Sequence, residues 1–402
     1  MKIWFLSAYD QPKGQSPRTY EFALELTKRG HEVSFFTNSL CHFTKKDRLK
    51  LFELRRIERI NNIRTIWVKT FPYKGNGFGR GINMLTNFLM ILINGLISIQ
   101  KPDIIICPSV PIFTGFCGYL LSIFHKVDFI YDVRDVWPDI LVDIGALNKK
   151  SLVYFLFKKT EKLLYKKCKF ISSTLPFLDN HVSNCGADPK KIFFIPNGLN
   201  TSKIDFTEKY DGGDSNNMNV YYIGGFSLDH DVENIIRAAD LLQKSGDKRF
   251  KFTIIGDGVN KKKCIQLASS LNLNNIEFKP PVRKEIIYSV QSKADILLAC
   301  IKDTKSYRFG LNLNKICTYL GSARPIVFSG NSPNDLVKES KGGISVEAEN
   351  PQKLVEALVR ISTLTRVERI KMGQKGREYA EKKLSILKLS DKMERMLLKA
   401  LK

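Results

Sequence analysis

The chain reads as an α/β protein built from two successive Rossmann-like, parallel-sheet domains. Three observations carry that expectation. At 402 residues it exceeds one typical hydrophobic core. A strand, a loop, a helix and a second strand fit within the first 38 residues, which is a βαβ unit and implies parallel pairing with a right-handed crossover. The same alternation restarts near Asn219, after a polar stretch rich in Gly and Asn.

Each element follows from its residues. Lys2 to Ala8 is a continuous apolar run closed by a polar loop, the pattern of a buried strand. The loop YDQPKGQSPR carries Gly14, where bare backbone allows close approach of a ligand. G-x-G-x-x-G is absent, so a dinucleotide site is not supported. Thr19 to Arg29 is a helix stopped by Gly30, and His31 to Asn38 a second strand. Residues 45–69 interleave Lys and Arg with Leu49, Leu51, Phe52, Leu54, Ile57 and Ile60. That pattern fits either a core-facing stretch with solvated charges or a segment lying on an anionic bilayer. Gly81 to Gln100 carries no charge but holds three Asn, so it reads as a buried or interfacial helix rather than a membrane span. Asp103 to Pro108 and Asp128 to Val133 are further strands. The second runs into a cluster of Asp132, Arg134, Asp135 and Asp139, well placed for a ligand because open α/β sheets bind beyond their strand ends. An Arg–Asp ion pair holding the loop is the plainer alternative. Lys149 to Lys169 repeats the basic and apolar mixture around LVYFLF. Phe170 to Thr174 is a short strand, and Lys191 to Pro196 leads into a Pro196-Asn197-Gly198 turn. The domains are placed at 1–197 and 198–380, with a helix over 381–402 that could pack back on the first domain.

In the second half, Asn219 to Ile223 is a strand followed by Gly224-Gly225, and Val232 to Gln243 a helix. Phe250 to Ile255 ends in Gly256-Asp257-Gly258, Asn275 to Phe278 ends in Lys279-Pro280-Pro281, and Ala294 to Cys300 is one more strand. Tyr307 to Gly330 then reads loop, helix, turn, strand. Asn312 and Asn314 stand where a helix N-cap would be. Lys315 falls in the first turn, where the helix dipole disfavours a cation. An anion held between Lys315 and the free amides would explain it; a Lys pointing to water is the plain alternative. Gly321 fits a helix stop, Pro325 to Phe328 a strand, and Asn350 to Lys402 is helical and highly charged.

Net charge is +24, and residues 1–200 alone carry 29 basic against 16 acidic side chains. Both halves being basic suits nucleic acid, an anionic membrane surface or phosphorylated substrates. No helix-turn-helix or aromatic–basic motif favours nucleic acid. The eight Cys are scattered in apolar surroundings without C-x-x-C, as expected of reduced thiols in a cytoplasmic protein. No spacing points to a metal site, and no cofactor is expected.

The segments MKIWFLSAYDQP, KRGHEVSFFTN, IPNGLN, YYIGG, IIGDG and NKICTYLGSARPIV stand in the order of the landmarks of family 4 glycosyltransferases, and the resemblance spans nearly the whole chain. RDVWPDILVDIGAL, an Arg-x-Tyr loop at Arg18-Thr19-Tyr20 and the Asn314-Lys315 pair resemble the O-antigen and capsule branch, which acts with UDP-linked N-acetylated sugars. The resemblance implies the GT-B fold, two Rossmann-like domains with a UDP-sugar donor in the cleft between them. It implies retaining, metal-independent transfer to an acceptor hydroxyl. By position, Gly256, Asp257, Gly258 and Pro281-Val282 would flank the base. Gly224 and Gly225 would approach the diphosphate, and Lys315 would neutralise it, helped by Arg283 and Arg308. Gly14, Arg18, Asp132, Arg134 and Asp135 would face the sugar and acceptor. Gly310 and Thr318 stand where many members carry two Glu, and Gly225 and His230 where many carry an Arg and a Lys.

The leading expectation is therefore a cytoplasmic transferase, peripheral on the inner face of the cell membrane, that extends a lipid-diphosphate-linked glycan. A UDP-sugar 2-epimerase and a catalytically degenerate binding partner in a glycan-assembly complex are the competing readings.

Overall fold

The computed structural model describes residues 1–12, 18–42, 44–75, 77–201, 204, 209–311 and 313–402. It divides into two compact units: residues 1–196 with 386–402, and residues 197–385.

In the first unit the apolar runs become strands and the amphipathic runs their crossovers. The order is β1 (Lys2–Leu6), α1 (Arg18–Lys28), β2 (Glu32–Asn38), β3 (Arg55–Ile60), β4 (Ile63–Val68), α2 (Phe78–Leu96), β5 (Ile104–Pro108), α3 (Ile112–His125), β6 (Asp128–Val133), α4 (Asp139–Asp143), α5 (Leu152–Lys167), β7 (Phe170–Ser173), α6 (Asp179–Asn184) and β8 (Ile192–Phe194). They form one sheet ordered β3-β4-β2-β1-β5-β6-β7-β8, parallel except for the β3–β4 hairpin. Strand order reverses direction between β1 and β5, and such a switch point is where open α/β sheets hold ligands.

Part of the basic 45–69 stretch forms this hairpin. Ile63, Ile66, Trp67 and Val68 of β4 are buried, whereas Leu51, Phe52, Leu54 and Ile57 remain exposed. The uncharged 81–100 stretch is α2. It buries Asn83, Asn87 and Asn94 on one face, and Asn83 donates to Thr70 Oγ1 and to the Phe71 carbonyl. Its opposite face exposes Leu85, Leu89 and Ile93. Among the described residues no helix is long and apolar enough to cross a membrane.

The second unit continues with β9 (Met218–Ile223), α7 (Val232–Lys244), β10 (Phe250–Ile255), α8 (Lys261–Ser270), β11 (Ile276–Lys279), α9 (Ile287–Gln291), β12 (Ile296–Cys300), α10 (Asn314–Gly321), β13 (Ile326–Ser329), α11 (Leu336–Ser340), β14 (Gly343–Val346), α12 (Pro351–Thr363) and α13 (Arg366–Lys383). Its six strands are all parallel, ordered β11-β10-β9-β12-β13-β14, with the switch point between β9 and β12.

The last helix, α14 (Ile386–Ala400), belongs to the first unit. Ile386, Leu389, Met393, Met396, Leu397 and Ala400 fall at helical i, i+3, i+4 spacing and pack with Phe5, Phe22 and Leu26. Arg29 fastens it through Asp391 and Glu394, both at 2.7 Å. The expected boundaries shift slightly. The first falls at 196/197, and the second moves from 380/381 to 385/386 because Ala380 and Leu384 of the α13 end stay in the second unit's core. Within the second unit the two ends of its stretch pair, Leu199 N donating to Leu384 O at 2.9 Å.

Candidate functional site

In the second unit the predicted residues collect at the C-terminal ends of β9, β10 and β12. Tyr319 of α10 fixes the register. Its hydroxyl accepts from Ile223 N at 2.8 Å and donates to Ile223 O at 3.1 Å, pinning α10 to the last residue of β9. That places Lys315, in the first turn of α10, over the turn that follows β9. The ammonium donates to Tyr222 Oη at 2.9 Å and lies 4.3 Å from the Tyr222 ring centre. A Cβ added at Gly224 would meet Lys315 Nζ at 2.7 Å, so glycine there is what lets the ammonium reach the turn. The Tyr222 hydroxyl in turn donates to Gly225 O at 2.5 Å.

His230 completes the group, its Nδ1 2.8 Å from Gly225 O. Because a carbonyl only accepts, Nδ1 carries the proton and Nε2 keeps its lone pair. Burial, then the Lys315 charge, push His230 down to about 4, so it is neutral at pH 7. Burial also pushes Lys315 down, to about 8, against smaller opposing pulls from Asp229 and Cys300. Half-buried and short of counter-charge, Lys315 is poised to gain from an incoming anion.

The Gly256-Asp257-Gly258 turn packs directly on this one. Gly256 has φ +150°, and a Cβ there would lie 1.8 Å from Gly224 O. Phe226 N donates to Asp257 O at 2.9 Å, and the Asp257 carboxylate accepts from Gly258 N at 2.8 Å. Val282 packs on the core beyond β11, and Arg283 beside it is exposed. Arg308 lies 4.6 Å from the Phe309 ring and lines a hollow of about 460 Å³ with Asp303, Thr304, Lys305, Asn331, Ser332 and Pro333. A larger hollow, about 870 Å³ along the β14 edge, contains none of the predicted residues.

Other predicted residues are placed differently. α10 is capped by Leu313 without a side-chain hydrogen bond, and Asn314 is its first helical residue; a polar cap was expected, but the chain enters through an apolar residue. Asn312 lies outside the described residues, as does Gly14. Gly310 closes a tight turn with φ +102°, which explains glycine there; Asn334 pins the next residue through Leu311 N and O. The Thr318 hydroxyl donates to Lys315 O at 3.0 Å and accepts from Gln291 Nε2 at 3.1 Å, so it is engaged around its own helix.

In the first unit Arg18 opens α1 rather than standing in a loop, because its guanidinium is drawn inward. It binds Asp132, Ser172 and the carbonyls of Ile195 and Pro196, holding the end of the unit's chain against the sheet. Asp132 is buried and receives Arg18, Arg134 and Ser172. Burial would raise its carboxyl, but Arg18 and Arg134 overcome that and hold it at about 2. Asp132 is thus a fixed anion that orients two arginines. Arg134 spans Asp132 and Asp10 and reaches Thr19. Burial opposes its charge, yet Asp10 and Asp132 hold it above the usual guanidinium range. The loop is pinned from both sides, Ser109 accepting from Arg134 N and Thr174 donating to Arg134 O. Asp135 is exposed at its tip, with its carbonyl held by Ser109.

The sequence reading missed Tyr222, Asp10 and Asp229; for Tyr222 the signal was a tyrosine just before the Gly pair. It also missed Glu161, His181 and Cys185, whose ligand atoms lie within 4.8 Å of one another. Glu161 already accepts from Lys158 at 2.5 Å and pairs with His181 at 2.6 Å, while burial, then Glu161, push the Cys185 thiol up to about 12. This arrangement reads as a hydrogen-bonded link between α5 and α6, with Lys158 paired to Glu161 within α5.

Two family models match the chain in succession: Glycosyltransferase Family 4 over residues 12–203 and Glycosyl transferases group 1 over residues 217–363. An uncharacterised glycosyltransferase of Methanocaldococcus jannaschii is 22% identical over 228 residues, which are 55% of this chain and 56% of that one, so the match spans about half the relative's length. Sucrose-phosphate synthase of Thermosynechococcus elongatus aligns over 99% of this chain and 98% of its own, with a TM-score of 0.77 at 14% identity. Anabaena HepE, solved in complex with UDP-glucose, aligns over 99% of this chain and 100% of its own, with a TM-score of 0.71 at 13% identity.

Proposed function

We propose that this chain, a glycosyltransferase of the GT-B fold, moves a sugar from a UDP-sugar to a hydroxyl of a lipid-diphosphate-linked glycan, the sugar being an N-acetylated amino sugar. The observation that carries the donor side is the Lys315 ammonium, suspended between the Tyr222 hydroxyl and the Gly224-Gly225 turn at the start of α10. A diphosphate brought against bare glycine backbone would meet that ammonium and the free amides of the first α10 turn together. The UDP-glucose bound to a neighbour of the same fold supports this donor class.

In the reaction the bond between the anomeric carbon and the β-phosphate oxygen breaks, and UDP leaves with one more negative charge. Lys315 and the α10 amides oppose that charge where it develops, which is electrostatic stabilisation of the leaving group. Transfer with retention lets the departing phosphate accept the proton of the attacking hydroxyl, so no separate base is assigned. Val282 and the Gly256–Gly258 turn flank the base, and Arg283 and Arg308 add positive charge nearby. In the first unit Asp135 and Arg134 hold sugar or acceptor hydroxyls, with Asp132 and Arg18 fixing Arg134 from behind. Exposed Leu85, Leu89 and Ile93 of α2 and Leu152, Phe155 and Leu156 of α5, amid lysines, support an acceptor presented at an anionic membrane surface, the chain lying peripherally on its cytoplasmic side.

The test is calorimetric titration with UDP and UDP-N-acetylglucosamine, followed by UDP release with a polyprenyl-diphosphate-linked acceptor. Lys315→Ala is expected to weaken UDP binding roughly 10–150-fold, since a hydrogen bond to a charged group contributes about 1.5–3 kcal/mol. An unchanged dissociation constant would remove Lys315 from the donor site. Failure of the native protein to bind UDP at all would end the reading.

A further inference from the structure

The sheet of the second unit ends at β14, and the outer edge of that strand opens into the hollow of about 870 Å³. β14 pairs with β13 in parallel, Gly343 opposite Ile326 and Ser345 opposite Phe328. Gly342 O accepts from Ile326 N at 3.1 Å and Val346 O from Gly330 N at 3.0 Å, so these carbonyls face β13. Backbone groups alternate sides along a strand, which turns the N–H and C=O of Gly343 and Ser345 toward the open side. Every residue of β14 lines the hollow, and Ile344 and Val346 also pack on the core. Residues of α11, α12 and α13 form its walls.

Those walls are basic. Lys338, Lys341, Lys353, Arg360, Lys371 and Lys375 line the hollow, and all are exposed. Its carboxylates are Asp335, Glu347 and Glu368. Asp335 caps α11, accepting from Val337 N and Lys338 N, and Glu368 closes the capping box of α13 with Thr365. Lys353 pairs with Glu356 at 2.8 Å, and the other five cations form no ion pair among the described residues. We infer that the β14 edge is a docking site for an extended acidic segment of a partner protein, which joins the six-stranded sheet as a further strand.

Two features choose this occupant. A row of outward N–H and C=O groups is matched by another strand, whose main chain supplies the complementary row. A ring of cations whose acids serve as helix caps is matched by negative side chains on that strand. A second copy of this chain is disfavoured, because the same cations and a net charge of +24 would meet themselves. At about 3.3 Å per residue β14 spans roughly 13 Å, enough to pair with a short segment. The plainer account is a guarded edge, since proteins place Lys or Pro on edge strands to stop unwanted pairing. The strand Gly343-Ile344-Ser345-Val346 carries neither guard; the charges stand on the helices beside it.

The full-length protein is titrated by fluorescence anisotropy with a labelled Glu-Val-Glu-Val-Glu-Val-Glu peptide, and UDP affinity is measured alongside. The same peptide N-methylated throughout cannot pair with a strand, and a version with Lys for Glu carries the wrong charge. Both are expected to bind about tenfold or more weakly than the acidic peptide. Ser345 N faces outward, so Ser345→Pro removes a docking donor without breaking the β13 ladder. Ser345→Pro, and separately Lys371→Glu with Lys375→Glu, are expected to weaken the acidic peptide about tenfold or more while UDP affinity stays within twofold. The charge reversal is also expected to tighten binding of the Lys peptide. Equal binding of the acidic and N-methylated peptides assigns the hollow to polyanions in general and overturns the inference. No binding of the acidic peptide, or binding that survives both variants, overturns it as well. If Ser345→Pro fails to fold, the N-methylated peptide and the charge reversal decide the matter.

Discussion

Lys315 is the residue on which the donor reading turns, and its chemistry makes a pH signature. Its ordinary value is 10.5 and burial brings it to about 8 in the folded chain. Between these values the unfolded chain binds more protons than the folded one, so this group adds to stability as pH rises from about 8 to 10.5. Anion binding has the opposite sign: a diphosphate needs the protonated amine, so UDP affinity is expected to fall as pH rises through about 8. UDP titrations across pH 7 to 9.5 should show that decline with proton uptake on binding, and Lys315→Ala should flatten it. A decline of equal slope in Lys315→Ala would place the titrating group elsewhere.

At the scale of elements, the β9–α7 turn can be separated from the β10–α8 turn by one methyl group each. In Gly224→Ala the new Cβ meets the end of the flexible Lys315 side chain, at 2.7 Å, and the Tyr222 hydroxyl at 3.3 Å, but no backbone. The variant should fold with its melting temperature within a few degrees of the parent, yet lose about tenfold or more in UDP affinity because the ammonium is displaced. In Gly256→Ala the Cβ meets backbone, Gly224 O at 1.8 Å, at a φ of +150°. That variant should lose stability first, by several kcal/mol, seen as a marked drop in melting temperature. The contrast shows what the sequence made legible. Strand, Gly-turn and helix order were readable because period and turn residues are local signals, and Gly224, Gly256 and Lys315 stood out by position. Tyr222 under Lys315 was not readable, because a tyrosine in an apolar strand looks like core until Tyr319 fixes α10 on β9. The surroundings of Arg18 were not readable either, because its partners Asp132, Ile195 and Pro196 are far away in sequence.

For the whole molecule, the +24 net charge stands beside an exposed apolar face on the first unit. Helices α2, α3 and α5 pack side by side on the first sheet and expose Leu85, Leu89, Ile93, Ile123, Phe124, Leu152, Phe155 and Leu156, with Lys159 against Phe155. Vesicles containing about 30% anionic lipid should bind the protein, with affinity falling as salt shortens the screening length from about 10 Å at 0.1 M toward 3 Å at 1 M. Leu152→Glu with Phe155→Glu should lower partitioning roughly tenfold or more in flotation assays while leaving UDP affinity unchanged. Equal partitioning of the variant would move the membrane contact away from α5.

The placement of α14 sets an order of events in the cell. The second unit is one continuous stretch and has its full sequence once residue 385 has emerged. The first unit begins earlier yet lacks the strip of apolar residues from Ile386 to Ala400 until the rest has been made, roughly 10–40 s later at about 5–20 residues per second. Over that interval Phe5, Phe22 and Leu26 have no α14 to cover them. The unit that starts first is therefore completed only after the second, and a ribosome stalled within Ile386–Ala400 would leave the gap in the core of the first unit rather than the second.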